Sequence, residues 1–509
     1  MMTNSKTSWQ APSFAVLFIG AVICVGLAIG IAVNPLVAFL FLVVGIFAAV
    51  FIKKYGFLHF VVTLVFLELI LGGSGRVYEF NDFFSIRKVL FLLVWILFLV
   101  LSASNPQRFA TWFRSASWAR GASLLGVATF IFFGLGVGIF RGNRLDYITA
   151  DASGLTFITL SIPLGYFASL EKMKVKFLLG VVLGASSFFG LVKGIVFSGA
   201  RLGYFDFGYV INLIQNEANQ AVSARNSLGM DRMSTVGDIF LMFSLILCIA
   251  TVFAAKRWRT REIVFAGIAA LIWGLFASGS RGLWLGSVIG IAVIFALVKF
   301  GHRLKILALI AIGTIALLQL FPQTLQDTSE WVQLAFNLRE YNNLDRVEQA
   351  PILISAGMEH PLIGNGFGHT LPNLVRSYEA PYAFELLYLA LFMKMGILGC
   401  ALWLVFLSGL LLNLLKMSKS LPNPANAMVA VGLCAGIISV LAVSAADPYL
   451  AGPPGMGILA LSAVVLDHFR EQVEVARFKG AESPSPMAPA RYVRVPRMKL
   501  RQVPRSAKY

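Results

Sequence analysis

Apolar runs long enough to cross a lipid bilayer recur from one end of this chain to the other. A transmembrane helix needs about 20 consecutive apolar residues, because the hydrocarbon core of a bilayer is about 30 Å thick. The chain has a mean hydropathy of +0.80 and only 13% charged residues, whereas soluble domains carry about 25%. This apolar content exceeds what one soluble core can bury, so the sequence predicts an all-α polytopic membrane protein.

The hydropathy pattern predicts about fourteen transmembrane helices. Their expected bounds are 11–33, 35–51, 57–73, 89–103, 121–140, 154–170, 177–198, 236–255, 263–279, 282–298, 306–321, 381–415, 425–446 and 453–467. On this division 1–321 holds helices 1–11 with an outer loop at 199–235, and 322–380 forms a large outer loop subdomain. Residues 381–467 hold helices 12–14, and 468–509 form a basic cytoplasmic tail that we expect to be disordered.

The net charge of +18 is distributed unevenly between the two sides of the predicted membrane. One set of alternating loops, together with Lys6 and the ten basic residues of the tail after Asp467, carries 28 of the 42 lysines and arginines. The basic residues of these loops are Lys53, Lys54, Arg108, Arg114, Arg120, Lys172, Lys174, Lys176, Lys256, Arg257, Arg259, Arg261, Lys299, Arg303, Lys305, Lys416 and Lys419. Basic residues mark the cytoplasmic side, so we expect both termini there. Membrane lipid accounts for this charge, and no nucleic acid is needed.

Neither end of the chain nor its cysteines indicate further modules. Cys24, Cys248, Cys400 and Cys434 all fall within predicted spans, with no disulfide or metal-ligand spacing. The first apolar run follows a single lysine, has no convincing cleavage site and is succeeded at once by further spans. We interpret it as a first span rather than a removed signal peptide.

The two long outer loops carry arginine but no lysine. These arginines are Arg201, Arg225, Arg232, Arg339, Arg346 and Arg376. The arginine fork matches the oxygens of phosphate and carboxylate groups, which favours an anionic ligand. The alternative is that outer loops are poor in lysine for topological reasons alone. Short helices are expected in both loops, including 344–358, where apolar residues recur at helical spacing.

Three motifs place polar chemistry on the outer side. In ASGSRGLWLG, at 277–286, Arg281 stands in a very short turn between two spans, where a charge usually has a partner or a role; the alternative is a snorkelling arginine. Arg346 begins a helical pattern that runs to Gly357, before the turn-rich HPLIGNGFG. Those glycines fit a ligand site, or a turn that simply requires tight geometry.

The third motif is PYAFELLYLALFMKMGILG, in which Glu385 is predicted to lie just inside an apolar run. A partly desolvated carboxylate is a better general base near neutral pH. The alternative is an acid that is paired with an arginine of the loop, and one group can satisfy both interpretations.

The order of these motifs resembles the O-antigen ligase and Wzy-type polysaccharide polymerase superfamily, over about 275–400 of this sequence. The resemblance rests on a short SRG turn, then an arginine and PxxGxG in a large outer loop, then a span with GxxG. It implies a GT-C-like membrane glycosyltransferase. It also implies that Arg281 and Arg346 hold the pyrophosphate of a polyprenyl-linked glycan.

One position departs from the ligases of this family. They place a His, often His-Asn, about eleven residues before the GxxG, where this chain has Glu385 followed by Leu386. An acid at this place is similar to exopolysaccharide-type polymerases. The resemblance therefore favours a polymerase of lipid-linked repeat units over a ligase that transfers finished glycan to lipid or protein.

These parts predict a mechanism without a metal or other cofactor. Arg281 and Arg346 neutralise the departing pyrophosphate, while Glu385 deprotonates the acceptor hydroxyl and the anomeric carbon inverts. Residues expected to bind substrate are Arg232, His360, Asn365, His369 and Arg376. Expected partners are the polyprenyl-pyrophosphate-linked glycan, membrane lipid, a chain-length regulator and a flippase. A transporter is the alternative from another class, although no paired repeats are visible.

Overall fold

The fold is known from a computed structural model. It describes residues 48–72, 85–115, 117–170, 173–204, 206, 223–225, 231–252, 254, 258–298, 341–374 and 380–481. In this part of the chain, seven helices are long and apolar enough to cross a membrane: Ile86–Ser104, Trp118–Gly138, Leu145–Ser169, Val175–Arg201, Trp258–Ser278, Leu387–Ser420 and Pro424–Val443. The chain is therefore a polytopic α-helical membrane protein, as its hydropathy predicts.

The helices are numbered here in chain order. They are α1 Phe57–Leu71, α2 Ile86–Ser104, α3 Pro106–Arg114, α4 Trp118–Ala128, α5 Leu145–Thr156, α6 Ser161–Ser169, α7 Val175–Arg201, α8 Asp238–Val252, α9 Trp258–Ser278, α10 Arg281–Leu297, α11 Tyr341–Glu359, α12 Leu387–Ser420, α13 Pro424–Val443 and α14 Pro453–Ala481. A wider π-helical segment, Thr129–Gly138, continues α4, and short 3-10 turns occupy Phe157–Leu160 and Tyr449–Ala451.

These helices correspond to the predicted spans wherever the structure describes the chain. Each prediction from 57–73 to 282–298, and from 381–415 onward, matches a helix. The predicted spans 11–33, 35–51 and 306–321 lie wholly or mainly outside the described residues. The total of fourteen therefore stays a prediction.

The centre of the bundle is formed by α8, α13 and α14. All residues of α8 except Thr251 are buried, and this helix packs against α9, α10 and α13. It has no polar face, as expected for a helix that is surrounded by others. By contrast, α2 is equally apolar but leaves most of its surface uncovered, which suits a helix facing lipid tails. Helix α14 packs against α4 and α6 on the other side.

Several sequence-based expectations need correction. In the outer loop 199–235, Ser223–Arg225 and Asp231–Ser234 form an antiparallel pair of strands, β1 and β2, that was not predicted. Most of this loop, where a short helix was expected, lies outside the described residues. The tail was expected to begin at 468, yet α14 continues to Ala481, because residues 468–481 contain neither proline nor a glycine before Gly480. The helix predicted from Arg346 to Gly357 is confirmed within α11.

Candidate active site

The SRG turn joins α9 to α10 by a single tight connection. Gly279 has φ +57°, a left-handed conformation that glycine adopts without steric cost. A Cβ atom at this position would come 2.9 Å from Cβ of Arg232. The absence of a side chain therefore lets β2 approach the turn. As a result, Arg232 lies against the turn whose next helix begins at Arg281.

Arg346 bonds two carboxylates from distant parts of the chain. From α11, its Nε donates to Oε2 of Glu385 at 2.9 Å, and its Nη2 donates to Oδ1 of Asp447 at 3.1 Å. The three side chains remain 25%, 13% and 30% exposed, respectively. The guanidinium thus holds two carboxylates from different parts of the chain at a place that a ligand can reach.

Asp447 connects this ion-pair group to the SRG turn. It lies in the turn after α13, and its Oδ2 is 3.2 Å from the position that a Cβ on Gly282 would occupy. The carboxylate therefore sits beside the first turn of α10, where the helix dipole favours negative charge. The arrangement brings Arg232, Arg281 and Arg346 to one locality around the turn.

Tyr449 contacts the SRG turn through Ser280. Its side chain hydrogen-bonds that of Ser280, and burial raises the pKa of its hydroxyl, with the charges of Asp447 and Asp238 acting in the same direction. The phenol therefore stays neutral in the physiological pH range and serves as a fixed hydrogen-bonding support for the residue before Arg281.

Glu385 lies just outside α12, whereas the predicted span 381–415 includes it. It occupies a bend two residues before Leu387, where the helix begins. Its backbone N–H donates to Oε1 of Gln349 on α11 at 3.2 Å, and its carboxylate pairs with Arg346. The alternative anticipated from sequence, an acid held by an arginine of the loop, is thus observed.

The glycine loop after α11 interrupts α12. Backbone N–H groups of Asn365 and Gly366 donate to the carbonyls of Met393 and Lys394, at 2.9 and 2.8 Å. In return, the N–H groups of Ile397 and Leu398 donate to the carbonyls of Pro361 and Leu362. These bonds satisfy the backbone where α12 breaks at Gly396, as a membrane-embedded helix requires. PxxGxG therefore acts here through tight geometry, the second interpretation considered above.

Asn365 and the two histidines belong to this loop. The Asn365 side chain is 3% exposed, and its amide donates to the carbonyl of Ala356 at 2.8 Å, which indicates a structural role. His369 is half-buried, and burial lowers its pKa, while nearby Glu359 raises it and Lys394 and His360 lower it further. His360 and His369 are thus close enough to interact electrostatically. Arg376 lies outside the described residues.

Asp447 was not among the residues expected from the sequence to act in catalysis or to bind substrate. The signal that was available is its position in DPYLAGPPG, an outer turn between two spans, where an acid is uncommon. Its partner Arg346 is 101 residues earlier in the chain, so no local pattern identifies the contact.

Replacing Asp447 by Asn should weaken activity more than stability. The change keeps an oxygen for Arg346 but removes one charge from a partly exposed ion pair, which contributes at most about 1 kcal/mol to folding. We expect the KM for the lipid-linked donor to change severalfold, while the thermal unfolding midpoint of the purified protein stays near that of the wild type. A large drop in the midpoint without a change in KM would make Asp447 a structural residue only.

The fold and the site together define a class: a polytopic α-helical membrane protein with a partly exposed arginine–carboxylate site. Residues 265–404 match the family model described as O-Antigen ligase. This segment is therefore similar to the O-antigen ligase family, as the motifs predict, and the similarity supports a glycan-transferring membrane enzyme in general terms. The match includes Arg281, Arg346 and Glu385, whereas Arg232 and Asp447 lie outside it.

Comparison with solved structures finds a distant likeness. One chain belongs to a structure described as "Structural coordination of polymerization and crosslinking by a peptidoglycan synthase complex". It is 15% identical, with a TM-score of 0.30, and the alignment covers 65% of this chain and 98% of that chain. A likeness at this level carries no argument. No curated protein sequence matches significantly.

Proposed function

We propose that the protein transfers glycan from a polyprenyl pyrophosphate at the outer face of the bacterial inner membrane, with both chain termini in the cytoplasm. The observation that carries the proposal is the pair of hydrogen bonds by which Arg346 holds Glu385 and Asp447. Asp447 lies beside the start of α10 at Arg281, and the turn before this helix contacts Arg232. Cations for a leaving group and a carboxylate for an attacking group are thus held at one place.

The arginines form the donor half of the proposed site. A pyrophosphate leaving group develops negative charge as its bond to the sugar breaks, and fixed guanidinium groups stabilise that charge. Arg346 and Arg281 match the family motif, and Arg232 reaches the same turn from β2. The positive end of α10 points into the same locality, which adds to the attraction for phosphate.

Glu385 supplies the acceptor half. Its carboxylate accepts the proton of an acceptor hydroxyl while the hydroxyl oxygen bonds to the anomeric carbon. The bond from that carbon to the phosphate oxygen breaks with its electron pair, which leaves polyprenyl pyrophosphate. A single displacement of this kind inverts the anomeric centre. Since the step needs only a base and cations, we propose that it proceeds without a metal.

Replacing Glu385 by Gln tests this assignment. The amide cannot take up the proton, so we expect turnover to fall by about 10²- to 10⁴-fold, with donor binding largely retained. The assay uses the purified chain in liposomes, with lipid-linked glycan that is extracted from cells lacking the protein as donor. Glu348→Gln, an exposed change on α11, is the matched control and should behave as wild type. Normal turnover in Glu385→Gln would exclude this residue as the base.

We favour a polymerase of repeat units over a ligase, because Glu385 stands where family ligases place His. The two functions leave different intermediates in cells that lack the protein. Loss of a polymerase leaves single repeat units on the polyprenyl carrier, whereas loss of a ligase leaves full-length chains there. A transporter would instead retain normal polymer length in the Arg281, Arg346 and Glu385 variants while export fails. A flippase and a chain-length regulator are the partners expected for a polymerase.

A further inference from the structure

Lys394 is a buried cation inside α12 that the proposed chemistry does not use. Its side chain is 7% exposed, and Nζ donates to Oδ1 of Asp151 at 2.7 Å. The same ammonium donates to the backbone carbonyl of Tyr382 at 2.9 Å. Charges within a membrane domain are expensive unless they are paired or have a role, so this pair calls for an explanation.

Asp151 extends the contact to the glycine loop. Its Oδ2 accepts the backbone N–H of Gly368 at 2.9 Å, while Oδ1 accepts from Lys394. One ion pair thus ties together α5, α12, the loop after α11 and the segment that precedes α12. These elements are far apart in sequence, with 243 residues between the two charges.

The segment 380–386 is the element of interest, because it carries Glu385. Lys394 holds it at Tyr382, three residues before Glu385, and Gln349 holds it at the N–H of Glu385 itself. We propose that the Lys394–Asp151 pair is a positioning device that fixes Glu385 where its carboxylate can act. This inference rests on the proposed function only for the role of Glu385.

The ion pair of Arg87 and Glu68 provides a comparison of similar burial. Arg87 donates from Nε to both carboxylate oxygens of Glu68, and the two side chains are 7% and 12% exposed. This pair joins α1 to α2, whereas the pair of Lys394 and Asp151 has nearly the same burial but also bonds the backbone of 380–386. The two pairs differ in that Lys394 also bonds the backbone of Tyr382. Arg87→Met is therefore a matched control for Lys394→Met.

Hydrogen exchange of the purified full-length protein tests the positioning without any substrate. Breaking the bond to Tyr382 should let 380–386 open more often. We expect Lys394→Met to speed amide exchange in this segment by about tenfold or more, and Asp151→Asn to speed it less. Lys394→Arg, which keeps a charged donor, should preserve part of the protection. Arg87→Met should leave exchange in 380–386 unchanged. Equal exchange in Lys394→Met and the wild type would overturn the proposal.

Kinetics with the extracted lipid-linked donor give a second readout. Misplacing a base by about 1 Å can lower turnover by about 10²-fold, whereas the donor arginines stay in place. Lys394→Met should therefore lower kcat by 10- to 100-fold with little change in donor KM. A parallel loss in Arg87→Met would reduce the effect to general instability and overturn the proposal.

The Glu385→Gln variant in the same assay separates the two levels of inference. If Glu385→Gln loses turnover while Lys394→Met keeps both kcat and protection, the positioning proposal fails and the proposed function stands. If Glu385→Gln keeps full turnover, the proposed base fails, and exchange in 380–386 still decides whether the pair holds the segment.

Discussion

Replacing Arg346 by Ala is expected to lower kcat/KM for glycan transfer by about 10³-fold or more. The change removes one of the cations that we propose to stabilise the leaving group. It also leaves Glu385 and Asp447 as two neighbouring carboxylates without the guanidinium that both of them contact. Donor affinity and placement of the base should therefore fail together.

Arg346→Lys gives the sharper test of geometry. Lysine keeps the charge but is a point donor, and it cannot reproduce the fork that spans Glu385 and Asp447. We expect activity intermediate between the alanine variant and the wild type. Arg144→Ala is a suitable control, since Arg144 pairs with Asp146 at a surface where both side chains are mostly exposed. Wild-type kinetics in Arg346→Ala would refute the proposal that Arg346 stabilises the leaving pyrophosphate.

Gly366→Ala, a single-methyl change in the glycine loop, should cause a large loss of stability. Gly366 has φ +79°, and an added Cβ would overlap the backbone of Gly138. The left-handed conformation alone costs an alanine about 1–2 kcal/mol, and overpacking adds about 1–3 kcal/mol. We expect a strongly lowered unfolding midpoint in detergent, together with poor insertion or low yield.

Gly142→Ala isolates the steric part of that effect. Gly142 has a similar φ of +77°, but nothing lies within 4 Å of its hypothetical Cβ. This variant should show only the conformational cost of about 1–2 kcal/mol. Equal destabilisation of the two variants would mean that close packing of the loop on the π-helical segment contributes nothing.

Much of the fold could be predicted from sequence because the requirements for a membrane span apply to one short segment at a time. Each span must hide its own backbone and present an apolar surface, so its position is visible in about 20 residues. The same holds for the SRG turn, which needs only two flanking spans and a glycine. The helical spacing that predicts α11 is local as well.

The relation between the motifs could not be predicted in the same way. PxxGxG was expected to serve a ligand or a tight turn, and only its bonds to Met393 and Lys394 identify it as the partner of the broken helix. The strand pair at 223–234 was missed because short strands are stabilised by pairing rather than by intrinsic preference. Glu385 was placed inside a span because hydropathy does not resolve where a helix begins.

By itself the sequence determined the membrane class and most helices of the described bundle, since these depend on composition and on spacing along one segment. Only the tertiary structure decided which charges meet. Arg346 pairs with Asp447, 101 positions away in the sequence, and Lys394 pairs with Asp151, 243 positions away. Ion pairs act over a few ångströms, and such distances are set by how helices pack, which no single segment of the chain encodes.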